Sequence, residues 1–179
     1  PAGWLLVDDT QNGRSTLTIQ PGNPVTGGGV IRATYGRGYR GGGHTAHLVS
    51  PRFRPVRELV VDEVLRVKDG FVPHPSGINK TWFINNFGVP GQTISANVGV
   101  LFGGRLRPSW VGQGSSVVDR RLTSDAEVVR GEWVHLRWHI VMDGEAGMYA
   151  VWAAPYGAEL REVGRWEDLP TAAPGWDLL

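Results

Sequence analysis

The sequence predicts an all-β fold, a two-sheet antiparallel β-sandwich of jelly-roll type with little or no helix. Three observations carry that prediction. The first is the segment Glu132–Met142, which reads Glu-Trp-Val-His-Leu-Arg-Trp-His-Ile-Val-Met. Val134, Leu136, Trp138, Ile140 and Met142 fall on one parity, and Trp133, His135, Arg137 and His139 on the other. Successive side chains of a strand point to opposite faces of the sheet, so this is a strand with one buried face and one polar, aromatic face. The second observation is the 26 glycines among 179 residues, clustered between β-branched and aromatic runs where turns belong. The third is that no segment sustains a helical period.

The elements follow in order. Trp4–Val7 is a short apolar strand closed by Asp8-Asp9 and Asn12-Gly13. Leu17–Gln20 is followed by the turn residues Pro21-Gly22-Asn23-Pro24. Gly27-Gly28-Gly29 leads into a strand over Val30–Tyr35, and a glycine-rich loop, Gly36–Gly43, precedes His44–Val49. The segments 21–29 and 36–43 read as loops or arms able to reach a neighbour. Glu58–Val67 is a strong strand with Leu59, Val61, Leu65 and Val67 on one parity, a face that Glu63 interrupts. A loop over Lys68–Asn79 leads to strands over Lys80–Asn85, Thr93–Phe102 and, past Gly103-Gly104, Arg105–Val111. Val117-Val118 and Glu127–Val129 are weaker signals. Asp143–Gly147 joins the opening strand to Met148–Ala153 as a hairpin. Pro155-Tyr156-Gly157 is a turn, and Arg161–Asp168 has room for one helical turn at most. Ten or eleven short strands separated by turn residues build a sandwich.

Composition narrows the function. A single domain over 1–179 fits the length, and a chain of this size buries roughly 70% of its unfolded surface. There is no cysteine, which excludes disulfides, thiolate catalysis and cysteine-bound zinc. Eighteen basic residues nearly balance seventeen acidic ones, with no like-charge block, so charge gives no reason to expect nucleic acid as a partner. No stretch approaches the roughly 20 apolar residues of a membrane helix. His44 and His47 fall on opposite parities. His135 and His139 share a face but lie roughly 13 Å apart, too far for one metal ion. No calcium loop of known spacing surrounds Asp8, Asp9 or Asp143. No transition metal and no cofactor are therefore expected, and calcium at Asp8, Asp9 or Asp143 stays open without a motif to indicate it. Paired carboxylates at glycosidase spacing, a Gly-x-Ser-x-Gly turn and a phosphate-binding glycine loop followed by a helix are all missing.

One run of features is similar to a known group. Leu59-Val60-Val61-Asp62-Glu63-Val64-Leu65-Arg66-Val67 precedes His74-Pro75-Ser76-Gly77-Ile78-Asn79-Lys80 and Trp82-Phe83-Ile84. Arg130-Gly131-Glu132-Trp133 then opens the alternating strand, and a hairpin carries Val151-Trp152. From Glu58 to Ala153 this resembles concanavalin A-like jelly-roll proteins, the polysaccharide lyase-like and laminin G-like domains of environmental bacteria and phages. The resemblance implies a jelly roll, a polysaccharide partner and an extracellular, secreted or virion-surface location. It also implies a closing strand, and none is evident toward Gly175-Trp176-Asp177-Leu178-Leu179. The Gln-Ile-His and Tyr-x-Gln strands of alginate lyases of this fold are absent.

If the chain is a lyase acting on uronate polymers, it needs a base, a group that neutralises the carboxylate, and a proton donor. His135 or His139 is the candidate base. Arg137 or Arg107 is the candidate carboxylate partner. Tyr149, on the next strand, is the candidate donor. Strand neighbours two apart are roughly 6–7 Å apart, within the span of a sugar ring. Trp133, Trp110 and Trp82 are candidate stacking surfaces for sugar rings, with Lys80 beside Trp82, while Trp138 and Trp152 read as core. The alternative is a non-enzymatic structural protein, a phage capsid or tail decoration domain or a secreted assembly subunit, that forms a homo-oligomer or larger assembly through its jelly roll.

Overall fold

The computed structural model describes residues 5–7, 15–35, 47–49, 56–85, 96–113, 121–143 and 146–169. Every regular element among them is a strand, every strand pair is antiparallel, and no helix occurs among the described residues. The chain divides into two compact units, Pro1–Pro51 and Arg52–Leu179.

The first unit holds two pairs of strands. β1 (Leu5–Val7) pairs with β4 (His47–Val49), and β2 (Ser15–Pro21) pairs with β3 (Gly29–Tyr35). The connection between β2 and β3 is fastened by Asn23. Its Oδ1 accepts hydrogen bonds from the backbone N–H groups of Val25 (2.8 Å) and Thr26 (3.2 Å), and its Nδ2 donates to the Gly29 carbonyl (3.0 Å). Asparagine side chains commonly close turns this way. The segment 21–29 is therefore a hydrogen-bonded hairpin turn. The segment 36–43 lies outside the described residues.

The second unit holds two four-stranded sheets. One runs in the order β12 (Arg161–Leu169), β11 (Gly147–Pro155), β10 (Trp133–Val141), β5 (Glu58–Arg66). The other runs β6 (Ile78–Asn85), β7 (Ala96–Phe102), β8 (Arg107–Gln113), β9 (Arg121–Thr123). β10 alternates as its sequence demands. Leu136, Trp138 and Ile140 are buried, while His135, Arg137 and His139 face outward. The core between the sheets combines these residues with Val61, Trp82, Leu101, Leu106, Met142, Tyr149 and Val151. Trp138 of one sheet meets Trp82 of the other edge-on, with ring centroids 5.7 Å apart and planes at 73°, and touches Tyr149 at 5.8 Å. The layering is β-sandwich-like, with the apolar faces of both sheets turned inward.

Two expectations about elements change. Arg161–Leu169 is a nine-residue strand at the sheet edge and not a helical turn. Its register against β11 slips between Val151 and Trp152, so the outward side chains Glu162 and Arg165 are three residues apart and the alternation is hidden. Glu127–Val129 is not a strand. Instead the Val128 N–H donates to the Leu106 carbonyl at 3.2 Å and its side chain enters the core. Val117-Val118 lies outside the described residues.

Candidate functional site

The outer face of the β12-β11-β10-β5 sheet gathers the polar groups that the β10 alternation predicts. β5 aligns with β10 so that Arg66 lies opposite Trp133, Asp62 opposite Arg137 and Glu58 opposite Val141. Cross-strand neighbours on one face interact directly. Arg137 donates through Nε and Nη2 to the two carboxylate oxygens of Asp62, at 2.9 and 3.2 Å. His135 Nε2 lies 2.8 Å from Asp62 Oδ1, and His139 Nε2 lies 2.6 Å from Glu58 Oε1. The Arg66 guanidinium sits 5.1 Å over the Trp133 ring.

The row continues onto β11 and β12. The ring of Trp152 lies 6.4 Å from that of His139 and takes the Arg165 guanidinium over its face at 5.7 Å. Arg165 is clamped in turn by the Glu162 carboxylate, with Nε–Oε1 at 3.1 Å and Nη2–Oε2 at 2.6 Å. Burial pushes the Asp62 carboxyl up, but hydrogen bonds from Arg137 and His135 outweigh it and hold the group below its usual range. The Glu162 carboxyl is lowered by Arg165.

These pairs are exposed, with Asp62 and Arg137 side chains 44% and 46% accessible. Exposed ion pairs contribute about 0–1 kcal/mol each. Asp62→Asn is therefore expected to cost no more than about 1 kcal/mol of folding stability in urea unfolding. A loss well beyond that would mark the row as structural.

His135, Arg137, His139 and Trp133 thus share one face, as the alternation predicts. Tyr149 does not join them. It pairs with Ile140, a buried position of β10, and its ring is 1% exposed in the core, on the opposite side of the sheet from His139. Trp82 is also interior, packed on Trp138. Arg107 and Lys80 belong to the other sheet. Arg107 Nη2 lies 3.9 Å from Glu127, and Lys80 is exposed on β6. Trp110 occupies β8, but its side chain lies outside the described residues. Trp152, read as core from its apolar strand, faces outward instead. Glu58, Asp62, Arg66, Glu162 and Arg165 complete the row. The parity of Glu58 and Asp62 signalled that they share a face, but not which residues they would meet.

A second polar group lies on the other side of β5. Glu63 points into the sandwich, where its Oε1 accepts hydrogen bonds from Trp138 Nε1 (2.9 Å) and Thr81 Oγ1 (3.2 Å). Burial pushes its carboxyl up to about 7, against an ordinary value of 4.5, and the two hydrogen bonds only partly offset this. The Tyr149 hydroxyl is pushed up by burial and then by the Glu63 charge.

Comparison with family models, curated proteins and solved structures finds no match. The chemistry therefore rests on geometry. Among the described residues, the outer face does not bring the three parts of a β-elimination centre together, because Asp62 already pairs with Arg137 and Tyr149 lies behind the sheet. Glu63, the carboxyl with the raised pKa, is separated from both histidines by the sheet itself. Among the described residues, no group of three metal-ligating side chains comes together. What the row offers is an open surface of aromatic rings beside hydrogen-bonding groups held in fixed positions. Planar rings of this kind present flat apolar faces for stacking, and the paired carboxylates and guanidinium groups beside them are charged hydrogen-bonding groups.

Proposed function

We propose that this chain is a carbohydrate-recognising module of the concanavalin A-like jelly-roll type, acting outside the cell or on a virion surface and binding its glycan without cleaving it. The observation that carries the reading is the outward row Trp133, His135, Arg137, His139, Trp152 and Arg165, whose polar members are already oriented by carboxylates of the same face. A preorganised row loses little side-chain entropy when a ligand arrives. The charge on the row selects the ligand class. Arg66, Arg137 and Arg165 face Glu58, Asp62, Glu162 and Glu167, so the surface is close to neutral, and a neutral polysaccharide suits it better than a polyuronate.

The test is affinity electrophoresis of the full chain through gels containing a panel of neutral and acidic polysaccharides, with an ultraviolet assay for unsaturated uronate products alongside. Retardation by a neutral polymer, with no absorbance rise, is the expected result. Trp152→Ala is expected to weaken that binding about tenfold, the equivalent of one stacked ring at about 1.4 kcal/mol. Retardation unchanged by both Trp152→Ala and Trp133→Ala would remove the face from the site. An absorbance rise on an acidic polymer would establish a lyase and return His135, Arg137 and His139 to catalytic roles.

A further inference from the structure

Among the described residues the second unit has four sheet edges, β12 and β5 in one sheet and β6 and β9 in the other. A free edge is a template for pairing with another chain, and proteins usually blunt it with bulges, charges or shortness. β12 carries two register shifts against β11, the charged residues Arg161, Glu162, Arg165 and Glu167, and Asp168 in the left-handed region at φ 51°. β6 is bulged between Lys80 and Trp82. β9 has three residues.

β5 also carries charges, Glu58, Asp62 and Arg66 on its outer face and Glu63 pointing inward, but it has no bulge and is not short. It keeps unbroken register with β10 over nine residues, about 30 Å of strand, without proline, glycine or lysine. Its side chains are also under-covered. Val60 is 51% exposed, and the inward Leu59 and Leu65 stay part-exposed while Leu136 and Ile140, in the same layer of β10, are 0% and 2% exposed.

We propose that two copies of this chain pair antiparallel along the β5 edge that no described strand occupies, about a twofold axis through Asp62, to form one continuous eight-stranded sheet. The occupant is a second copy because β5 is complementary to itself in that register. Glu58 meets Arg66 at both ends, Val60 meets Val64 twice on the outer face, and Leu59 meets Leu65 twice on the inner face. Opposite charges and apolar pairs directly across an antiparallel ladder are each favourable. In this register Val61 also meets Glu63 twice on the inner face, where Trp138 and Thr81 of each copy hold the Glu63 carboxyl. Centring the axis on Val61 or Glu63 instead sets the outer valines Val60 and Val64 against charged residues, and a one-residue slip sets apolar faces against polar ones. The like-charged contact at the axis, Asp62 with Asp62, is offset because His135 and Arg137 of each copy hold that carboxylate. Residues opposite each other in a ladder share a face, so both outer faces lie on the same side of the joined sheet.

The register makes the test specific, because the native chain has no cysteine. At the axis the two copies of residue 62 would lie about 4.5–5.5 Å apart by Cα, inside the range a disulfide spans. The two copies of residue 60 would lie roughly 14 Å apart, from four strand steps and one strand spacing. Asp62→Cys is expected to run as a disulfide-linked dimer on non-reducing gels after mild oxidation, and Val60→Cys as a monomer. Glu58→Cys/Arg66→Cys leaves Asp62 in place and is expected to crosslink as well, which covers the case in which Asp62→Cys fails to fold. The unmodified full chain is expected to scatter light at twice its own mass at about 100 μM. A native monomer at that concentration, crosslinking of Val60→Cys as efficient as that of Asp62→Cys, or a folded double variant that stays monomeric would each overturn the pairing.

Discussion

Glu63→Gln is expected to make the protein more stable above pH 7 and to flatten the pH dependence of its stability. Glu63 carries a carboxyl inside the sandwich, held at Oε1 by Trp138 and Thr81, with a pKa raised from 4.5 to about 7. Below pH 4.5 the group is protonated in both the folded and the unfolded chain and costs nothing. Between pH 4.5 and 7 the unfolded chain releases the proton while the folded chain retains it. The unfolded state then binds fewer protons than the native state, so stability falls as pH rises. Above pH 7 the loss is complete. The displacement corresponds to about 3 kcal/mol at 1.36 kcal/mol per pH unit, and to somewhat less because Glu63 keeps some solvent contact.

Glutamine keeps an oxygen for the Trp138 N–H and carries no charge to desolvate, which is why the substitution favours the folded state at neutral pH. The titration of Asp62 does not confuse the measurement. Its lowered pKa makes the stability it adds disappear only as pH falls below its ordinary value of 3.8. Urea unfolding followed by tryptophan fluorescence from pH 4 to 8 reads both curves. The wild-type protein should lose about 2–3 kcal/mol across pH 4.5–7 and the variant should not. Parallel curves for the two proteins would show that the Glu63 carboxyl is solvated.

What could be foreseen from the sequence divides along physical lines. β10 was legible because its alternation is unbroken over nine residues and one face is wholly apolar. Glu63 was visible as an interruption of such a face, but its partners Thr81 and Trp138 come from β6 and β10, and no local pattern points to them. The partners of the histidines were hidden for the same reason. Asp62 and Arg137 are 75 residues apart, and their pairing depends on how two strands align, which the buried faces decide together.

Trp152 faces outward and Tyr149 inward, the reverse of what their sequence suggests, because both lie in one apolar strand. Only the register across the hairpin, Tyr149 opposite Ile140 and Trp152 opposite Arg137, tells which faces inward. β12 escaped because its register shifts break the period of two, and Gly164 supplies no side chain to mark a face. The ring of Trp166 covers the place where a Cβ at Gly164 would sit.

Gly99→Ala is expected to destabilise the protein by about 1–3 kcal/mol, the range for forcing extra atoms into a packed core. The usual effect has the opposite sign, since alanine in a strand interior is favoured over glycine by roughly 0.5–1 kcal/mol. Here the space is taken. A Cβ at position 99 would lie 2.2 Å from Nε1, 2.3 Å from Cε2 and 2.8 Å from Cζ2 of Trp82. The indole cannot simply move away, because Trp138 stands edge-on against it from the facing sheet at 5.7 Å and Trp82 itself is only 9% exposed. Trp82 reaches across β7 because the bulge between Lys80 and Trp82 shifts its register there, where it pairs with Gly99.

A second substitution isolates the cause. Trp82→Phe removes the atoms that collide with the new methyl group. Trp82 Nε1 has no hydrogen-bond partner among the described residues, so the change costs packing and no hydrogen bond. Combining it with Gly99→Ala should therefore cost less than the two single losses added together, a favourable coupling of the kind that contacting residues show. Urea unfolding of the four proteins measures it. If Gly99→Ala proves as stable as the parent chain, or if the two losses simply add, the Trp82 indole does not fill the space beside Gly99.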